Sequence, residues 1–368
     1  MTARVLVAMS GGVDSSVAAA VLARSGYDVV GVTMKLHDDG AAIPDKPCCS
    51  LDSANDARRI AERIGIPHYV LNMEQAFRND VMDDFVAEYA RGRTPIPCVR
   101  CNTFTKFHDL VQKADAIDAE FVATGHYARM VDGALHRGAD ERKDQTYFLW
   151  GVQRAALERM LLPVGGMTKR ATRALAHDLG LALVAEKPES QEICFVPDGG
   201  YAGVLERELG AGAPALSPGP VILGDGTIVG SHDGFARFTI GQRRGVPGGF
   251  GEPMFVVAIR PLERAVVIGP REELLGRGVV ARGMNWLVDP APRAGDRVGV
   301  RVRHRAPIAA ADIVRLDGAE IELEMDEPVS AIAPGQSLVL YDGTRVLGGG
   351  FIEASRTIRA PLPLFALA

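Results

Sequence analysis

The chain has 368 residues, a formal net charge of −5, 47% hydrophobic and 24% charged residues: an ordinary globular balance, long enough for two to three domains, whose overall charge does not announce a nucleic-acid binder although it hides any local basic face. No run approaches the roughly 18 apolar residues of a membrane span. The N-terminus enters a strand at once, leaving no room for a signal peptide, so a cytoplasmic location is expected.

Strand and helix patterns alternate through the first half. Val5–Met9 reads as strand, Val17–Ala23 as helix and Val29–Met34 as strand. Ala54–Ile64 carries Ala54, Ala57, Ile60, Ala61 and Ile64 on one helical stripe, closed by Gly65. His68–Asn72 (strand), Phe77–Tyr89 and Phe104–Ala116 (helices) and Phe121–Thr124 (strand) follow. This alternation predicts a parallel sheet covered on both faces, with ligands at the carboxyl ends of its strands. The segment after the first strand, Met34 and Thr124-Gly125-His126 all fall at those ends. A further helix runs from Thr168 to Leu179, capped by Thr168 and stopped by Gly180. Past residue 200 short strand patterns take over, at Pro220–Leu223, Thr227–Val229, Met254–Ile259 and Ala265–Ile268, with turn pairs at Asp225-Gly226, Asp317-Gly318 and Asp342-Gly343. The expected fold class is α/β: a Rossmann-like parallel-sheet domain over 1–200, a small β-rich central domain over 201–275, a C-terminal antiparallel β-barrel over 276–355, and a tail over 356–368.

Residues 10–16, Ser-Gly-Gly-Val-Asp-Ser-Ser, lie between the first strand and the first helix. A strand that breaks into small hydroxyl residues and then starts a helix presents backbone N–H groups and a positive helix end to an anion. Gly11 and Gly12 allow a sharp turn and close approach, Ser10, Ser15 and Ser16 add hydroxyls, and Asp14 suits a helix cap or a Mg²⁺ partner. The lysine of the G-x-x-x-x-G-K-[ST] loop is missing. The segment resembles the pyrophosphate loop of the PP-loop ATP pyrophosphatases, which cleave ATP to AMP and pyrophosphate.

Five cysteines occur: Cys48, Cys49, Cys98, Cys101 and Cys194. Their odd number argues against a disulfide framework. Cys98-Val99-Arg100-Cys101 reads as a proline-punctuated loop (Pro95, Pro97) before a helix starting near Asn102, where Arg100 and the helix end would favour thiolate. Half of a zinc site is the other reading of a CxxC, but the chain supplies no second CxxC or H-x₃₋₅-H pair. Cys194 follows the polar run Glu186–Glu192, poor core material, while Cys48 and Cys49 read as structural.

Six ordered segments carry a second and more specific resemblance: the opening loop, Cys98-x-x-Cys101-Asn102 with Lys106-Phe107, Ala123–Ala128, Lys143–Leu149, Ser190–Phe195 and Phe238–Gly245. Together they resemble the tRNA-specific 2-thiouridylase family over residues 4 to about 350. The resemblance implies 2-thiolation of the wobble uridine in tRNAs for Lys, Glu and Gln, through adenylation of O2. ATP and Mg²⁺ would act as cofactors, with Ala8, Met9, Ser10, Gly11, Gly12, Val13, Asp14, Ser15, Met34 and Gly125 at the nucleotide. By the same pattern Cys194 receives a persulfide from a cysteine desulfurase or sulfur-relay protein, and Cys101 assists release and can end in a disulfide with Cys194. His126, Lys143, Asp144, Gln145 and Gln336 would contact the anticodon stem-loop of tRNA. The chain departs from the family at Ile96-Pro97-Cys98, where an asparagine and an aspartate are replaced. The substitution suggests that Cys98, Cys101 and Cys194 ligate a [4Fe–4S] cluster.

Alternation over Arg297–Arg305 turns Val298, Val300 and Val302 to a core and aligns Arg297, Arg301, Arg303 and Arg305 as a phosphate rail. Arg137, Arg142, Lys143, Arg243 and Arg244 add further basic sites. Two other readings stay open: another PP-loop ligase of the argininosuccinate or GMP synthase kind, which leaves the cysteines and the third domain idle, and a non-catalytic RNA-binding protein.

Overall fold

The computed structural model describes residues 2–37, 51–187, 193–197, 200–210 and 212–357. Cys48, Cys49, the polar residues 188–192 and the tail beyond 357 lie outside the described residues. The chain divides into two compact units.

The first unit comprises residues 1–82, 97–197 and 344–346. It is built on β1 (Arg4–Ala8), β2 (Asp28–Lys35), β3 (His68–Asn72) and β4 (Phe121–Ala123), then a hairpin of β5 (Ala128–Val131) and β6 (Ala134–Arg137), then β7 (Met160–Leu161). The sheet order is β3-β2-β1-β4-β7 with every neighbour parallel. Central strands of such a sheet are covered on both faces, which is why β1 and β2 read as unbroken apolar runs. Three helices matter for the site: α1 (Val13–Arg24), α2 (Leu51–Ile64) and α3 (Lys169–Asp178). Val17, Ala18, Ala19 and Ala20 of α1 are buried in one core with Val5 and Val7 of β1. α3 is capped as its sequence predicts: Thr168 accepts from Ala171 N, and Gly180 takes φ +73° just past the end.

The two helices expected at Phe77–Tyr89 and Phe104–Ala116 form, but each contains a π-helical stretch, at Arg78–Met82 and Cys101–Phe107. Such local widening is concentrated at functional sites, and apolar periodicity carries no signal for it. The β5–β6 hairpin, only four residues per strand, is too short to leave an alternating pattern in the sequence.

The second unit comprises residues 83–96, 198–343 and 347–368. A four-stranded sheet holds β8 (Gly219–Ile222), β9 (Ile228–His232), β10 (Phe255–Arg260) and β11 (Ala265–Gly269) in the order β10-β11-β8-β9. A six-stranded antiparallel array follows: β12 (Leu275–Trp286), β13 (Arg297–Arg301), β14 (Ala309–Asp317), β15 (Glu320–Ser330), β16 (Ser337–Asp342) and β17 (Arg345–Thr357). Its order is β12-β15-β14-β13-β16-β17, and pairing of β12 with β17 closes it into a barrel around Val279, Val298, Val300, Ile313, Leu323 and Leu340. Gly226, Gly318 and Gly343 of the three Asp-Gly turns all sit at positive φ.

The arginine rail does not form. β13 ends at Arg301, which is only 7% exposed with its guanidinium 5.5 Å from the Tyr341 ring centre. Arg297 is ion-paired with Asp312 of the neighbouring β14 and with Asp326 of β15, the next strand over. Arg305 turns out of the strand at φ +64°, leaving Arg303 and Arg305 exposed. Acids contributed by other strands lie outside any single-strand alternation argument.

Candidate active site

Residues 9–12 leave the carboxyl end of β1 and turn into α1 in the first unit. Gly11 adopts φ +69°, and a Cβ there would strike the Ser53 carbonyl of α2, so only glycine fits. Ser10 N donates to Ser15 Oγ at 3.1 Å, and Ser15 Oγ donates to the Gly12 carbonyl at 3.2 Å. These bonds brace the turn, so that the first N–H groups of α1, which have no intrahelical acceptor, face outward together. Ser16 is fully buried and spends its hydroxyl on the Gly12 carbonyl, which removes it as an anion donor. Gly12, not Asp14, occupies the helix-cap position.

Two lysines far away in sequence supply the charge that the loop itself lacks. Lys169, the first residue of α3, places Nζ 2.8 and 2.7 Å from the two Asp14 carboxylate oxygens. Tyr127 donates its hydroxyl to Asp14 at 2.8 Å, and Lys169 lies over the Tyr127 ring. Lys187 donates to the Gly11 carbonyl at 3.3 Å and to Asp56 at 2.5 Å. Sequence reasoning missed both, although each carried a signal: Lys169 follows the cap of a well-marked helix, and Lys187 stands in the polar run before Cys194. Lys169 thus balances the Asp14 charge. Among the described residues no three His, Cys, Asp or Glu side chains gather to hold a metal.

The carboxyl end of β4 lies against this loop. A Cβ on Gly125 would sit 2.5 Å from Ser15 N and 2.6 Å from the Asp14 carbonyl carbon, so the two backbones touch. His126 follows, its Nδ1 paired with Thr124 Oγ1 at 2.7 Å. Burial, with a smaller contribution from the Lys106 charge, pushes the His126 imidazole down to about 3, so it is neutral at physiological pH. Met34 stands buried near the carboxyl end of β2, and Ala8, Met9 and Val13 flank the turn as expected.

His126 links the loop to the first thiol. Its ring lies 6.0 Å from Phe107, the last residue of the π-helical segment that begins with Cys101. Asn102, beside Cys101, donates to the Phe148 carbonyl at 3.0 Å and fixes the other end. Cys98 and Cys101 are therefore on helical turns rather than in a loop ahead of a helix, with Cys98 exposed and Cys101 buried. Arg100 donates Nε to the Asp80 carbonyl at 2.8 Å and lies over the Phe104 ring. Cys194 is half-buried, and the adjoining Phe195 packs edge-on against Phe77 at 5.7 Å. Phe77 leads directly into Arg78–Met82, the stretch that receives Arg100, so both thiol segments anchor on one helix. Among the described residues, Cys98, Cys101 and Cys194 are not gathered as a three-ligand metal site.

Three of the residues expected at the RNA make internal hydrogen bonds. Asp144 is 4% exposed and accepts from Gly138 N, Thr146 N and Thr146 Oγ1. Gln145 accepts from Tyr127 N at 2.8 Å. In the second unit, Gln336 donates to the Thr94 and Pro95 carbonyls at 3.0 and 3.3 Å. Lys143 is partly exposed.

Three family models match the chain: the tRNA methyl transferase HUP domain over residues 3–198, the tRNA methyl transferase PRC-barrel domain over 211–270, and the aminomethyltransferase beta-barrel domain over 276–352. The chain is 48% identical over 363 residues to the tRNA-specific 2-thiouridylase MnmA of Paracoccus denitrificans, covering 96% of this chain and 92% of the relative. The enzyme of the same name from Parvibaculum lavamentivorans is 49% identical over 366 residues, with 95% and 90% covered. That from Geobacter metallireducens is 46% identical over 364 residues, with 96% and 98% covered.

Proposed function

Because the chain belongs to the tRNA-specific 2-thiouridylase family, we propose that its β1 loop binds ATP and that Cys194 and Cys101 pass sulfur to the activated wobble uridine of tRNA. The protein is a tRNA-modifying enzyme that makes 2-thiouridine. The finer reading concerns how these residues do it.

A uracil C2 carbonyl is a poor electrophile with a poor leaving oxygen. Transfer of AMP from ATP to O2 converts that oxygen into a phosphate ester. The pyrophosphate released is held by the N–H groups of α1 and by Lys169, which exchanges Asp14 for phosphate oxygen. Mg²⁺ enters with the ATP phosphates as part of the substrate. His126, neutral and held by Thr124, offers a hydrogen bond without adding charge.

A persulfide on Cys194, loaded by a cysteine desulfurase or relay protein, attacks C2 with its terminal sulfur and expels AMP. Cys101 then attacks the Cys194 sulfur, freeing 2-thiouridine and leaving a Cys101–Cys194 disulfide. The target base must leave its stack to meet these groups, and tRNAs for Lys, Glu and Gln are the expected substrates. The observation that carries this reading is the contact path Ser15–Gly125–His126–Phe107, which joins the phosphate-binding turn to the segment holding Cys101. Incubation with ATP, tRNA and a persulfide donor tests it: pyrophosphate release that depends on tRNA is expected, and release with a small amine and no RNA would favour an amide-forming ligase.

A further inference from the structure

Cys101 is 5% exposed, whereas Cys98 is open to solvent. The two stand three residues apart, across the junction of the helical turn Pro97–Arg100 and the π-helical stretch Cys101–Phe107. Side chains at that helical spacing have Cβ atoms about 5–6 Å apart, a modest adjustment from the roughly 3.5–4.5 Å of a disulfide. A cycle that ends in a Cys101–Cys194 disulfide leaves the enzyme oxidised, with one bridging sulfur buried and the other half-buried. Thiol–disulfide exchange requires an approach to sulfur, and an external thiol reaches neither easily.

We propose that Cys98 is the resolving thiol of the enzyme, an inference that rests on the sulfur-transfer reading above. The Cys98 thiolate attacks Sγ of Cys101. The Cys101–Cys194 bond breaks, Cys194 departs as thiolate ready for the next persulfide, and a Cys98–Cys101 disulfide forms. One disulfide replaces another, so no electrons are gained or lost in this step. A small thiol of the glutathione class then attacks the exposed Cys98 sulfur. Two such thiols are oxidised to their own disulfide, and Cys98 and Cys101 each regain a proton.

The test starts from reduced full-length enzyme carrying a persulfide on Cys194. ATP and tRNA are added without free thiol, and the reaction is quenched with an alkylating agent. Arg100 separates the two cysteines, so trypsin yields Thr94–Arg100 and Cys101–Lys106 as distinct peptides. The expected wild-type product is these two peptides joined by a disulfide, with Cys194 alkylated. In Cys98→Ser the first round of thiouridine still forms, Cys101 stays bonded to Cys194, and turnover with glutathione falls on the order of tenfold. An unchanged melting temperature of Cys98→Ser separates this loss from misfolding. The proposal is overturned if wild-type Cys98 remains alkylatable with Cys101–Cys194 as the end state, or if Cys98→Ser turns over at the wild-type rate. Absence of first-round thiouridine in the wild type would instead overturn the sulfur-transfer reading itself.

Discussion

The Phe107 ring lies 6.0 Å from the imidazole of His126, and His126 directly follows the glycine whose backbone rests on the first turn of α1. The turn after β1 and the segment Cys101–Phe107 are thus joined through Gly125 and His126. His126 is neutral there because burial and then the nearby Lys106 charge disfavour a proton on its ring.

Gly125→Ala should separate the two backbones. The new methyl group has no flexible neighbour to displace, because the atoms it meets are main chain of Asp14 and Ser15. We expect a stability loss of about 1–3 kcal/mol and, from displacement of the turn, a fall in kcat/KM for ATP on the order of 100-fold. Thermal unfolding and pyrophosphate release measure the two effects separately.

The stability of the enzyme should rise between pH 3 and 6.5 partly through His126. Its folded-state value of about 3 lies below the ordinary 6.5, so across that window the unfolded chain binds a proton that the folded chain refuses. The stability is fully present above 6.5 and is lost as pH falls toward 3, with a slope of at most about 1.4 kcal/mol per pH unit. His68, His136 and His232 are also depressed, chiefly by burial, so His126→Gln should flatten the slope without abolishing it. Denaturant titrations at several pH values compare the two proteins; identical slopes would contradict the assignment.

Arg301 and Arg303 should part company when reversed in charge. Arg301→Glu places an anion in a 7%-exposed site against Tyr341 and should destabilise the barrel by about 3–5 kcal/mol, lowering the melting temperature. Arg303 is exposed, so Arg303→Glu should leave the melting temperature nearly unchanged. If Arg303 meets a tRNA phosphate, the reversal weakens binding and reduces the salt-dependence slope by about 1, as a titration over several salt concentrations would measure.

Local rules carried much of this fold. Strands β1 to β4 of the first sheet, the Thr168 cap and the three Asp-Gly turns were legible because each depends on neighbouring residues, whereas β7, only two residues long, was not. The turn between β1 and α1 was legible for the same reason, since its glycines and hydroxyls are contiguous. What escaped was built by distant residues. Lys169 and Lys187 reach Asp14 and Gly11 only after the sheet has formed, and Arg297 meets acids contributed by β14 and β15. Asp144, expected at the RNA, accepts from Gly138 as well as from Thr146 of its own turn. The π-helical stretches that hold Cys101 and receive Arg100 leave no periodic trace that sequence could reveal.

The most direct measurement is mass spectrometry of the wobble uridine after reaction with ATP, tRNA and a persulfide donor, run on wild type, Cys101→Ser and Cys194→Ser with pyrophosphate followed in parallel. The account predicts oxygen replaced by sulfur at C2 only with the wild type, while both variants still release pyrophosphate. Thiouridine formed at the wild-type level by either serine variant would contradict it.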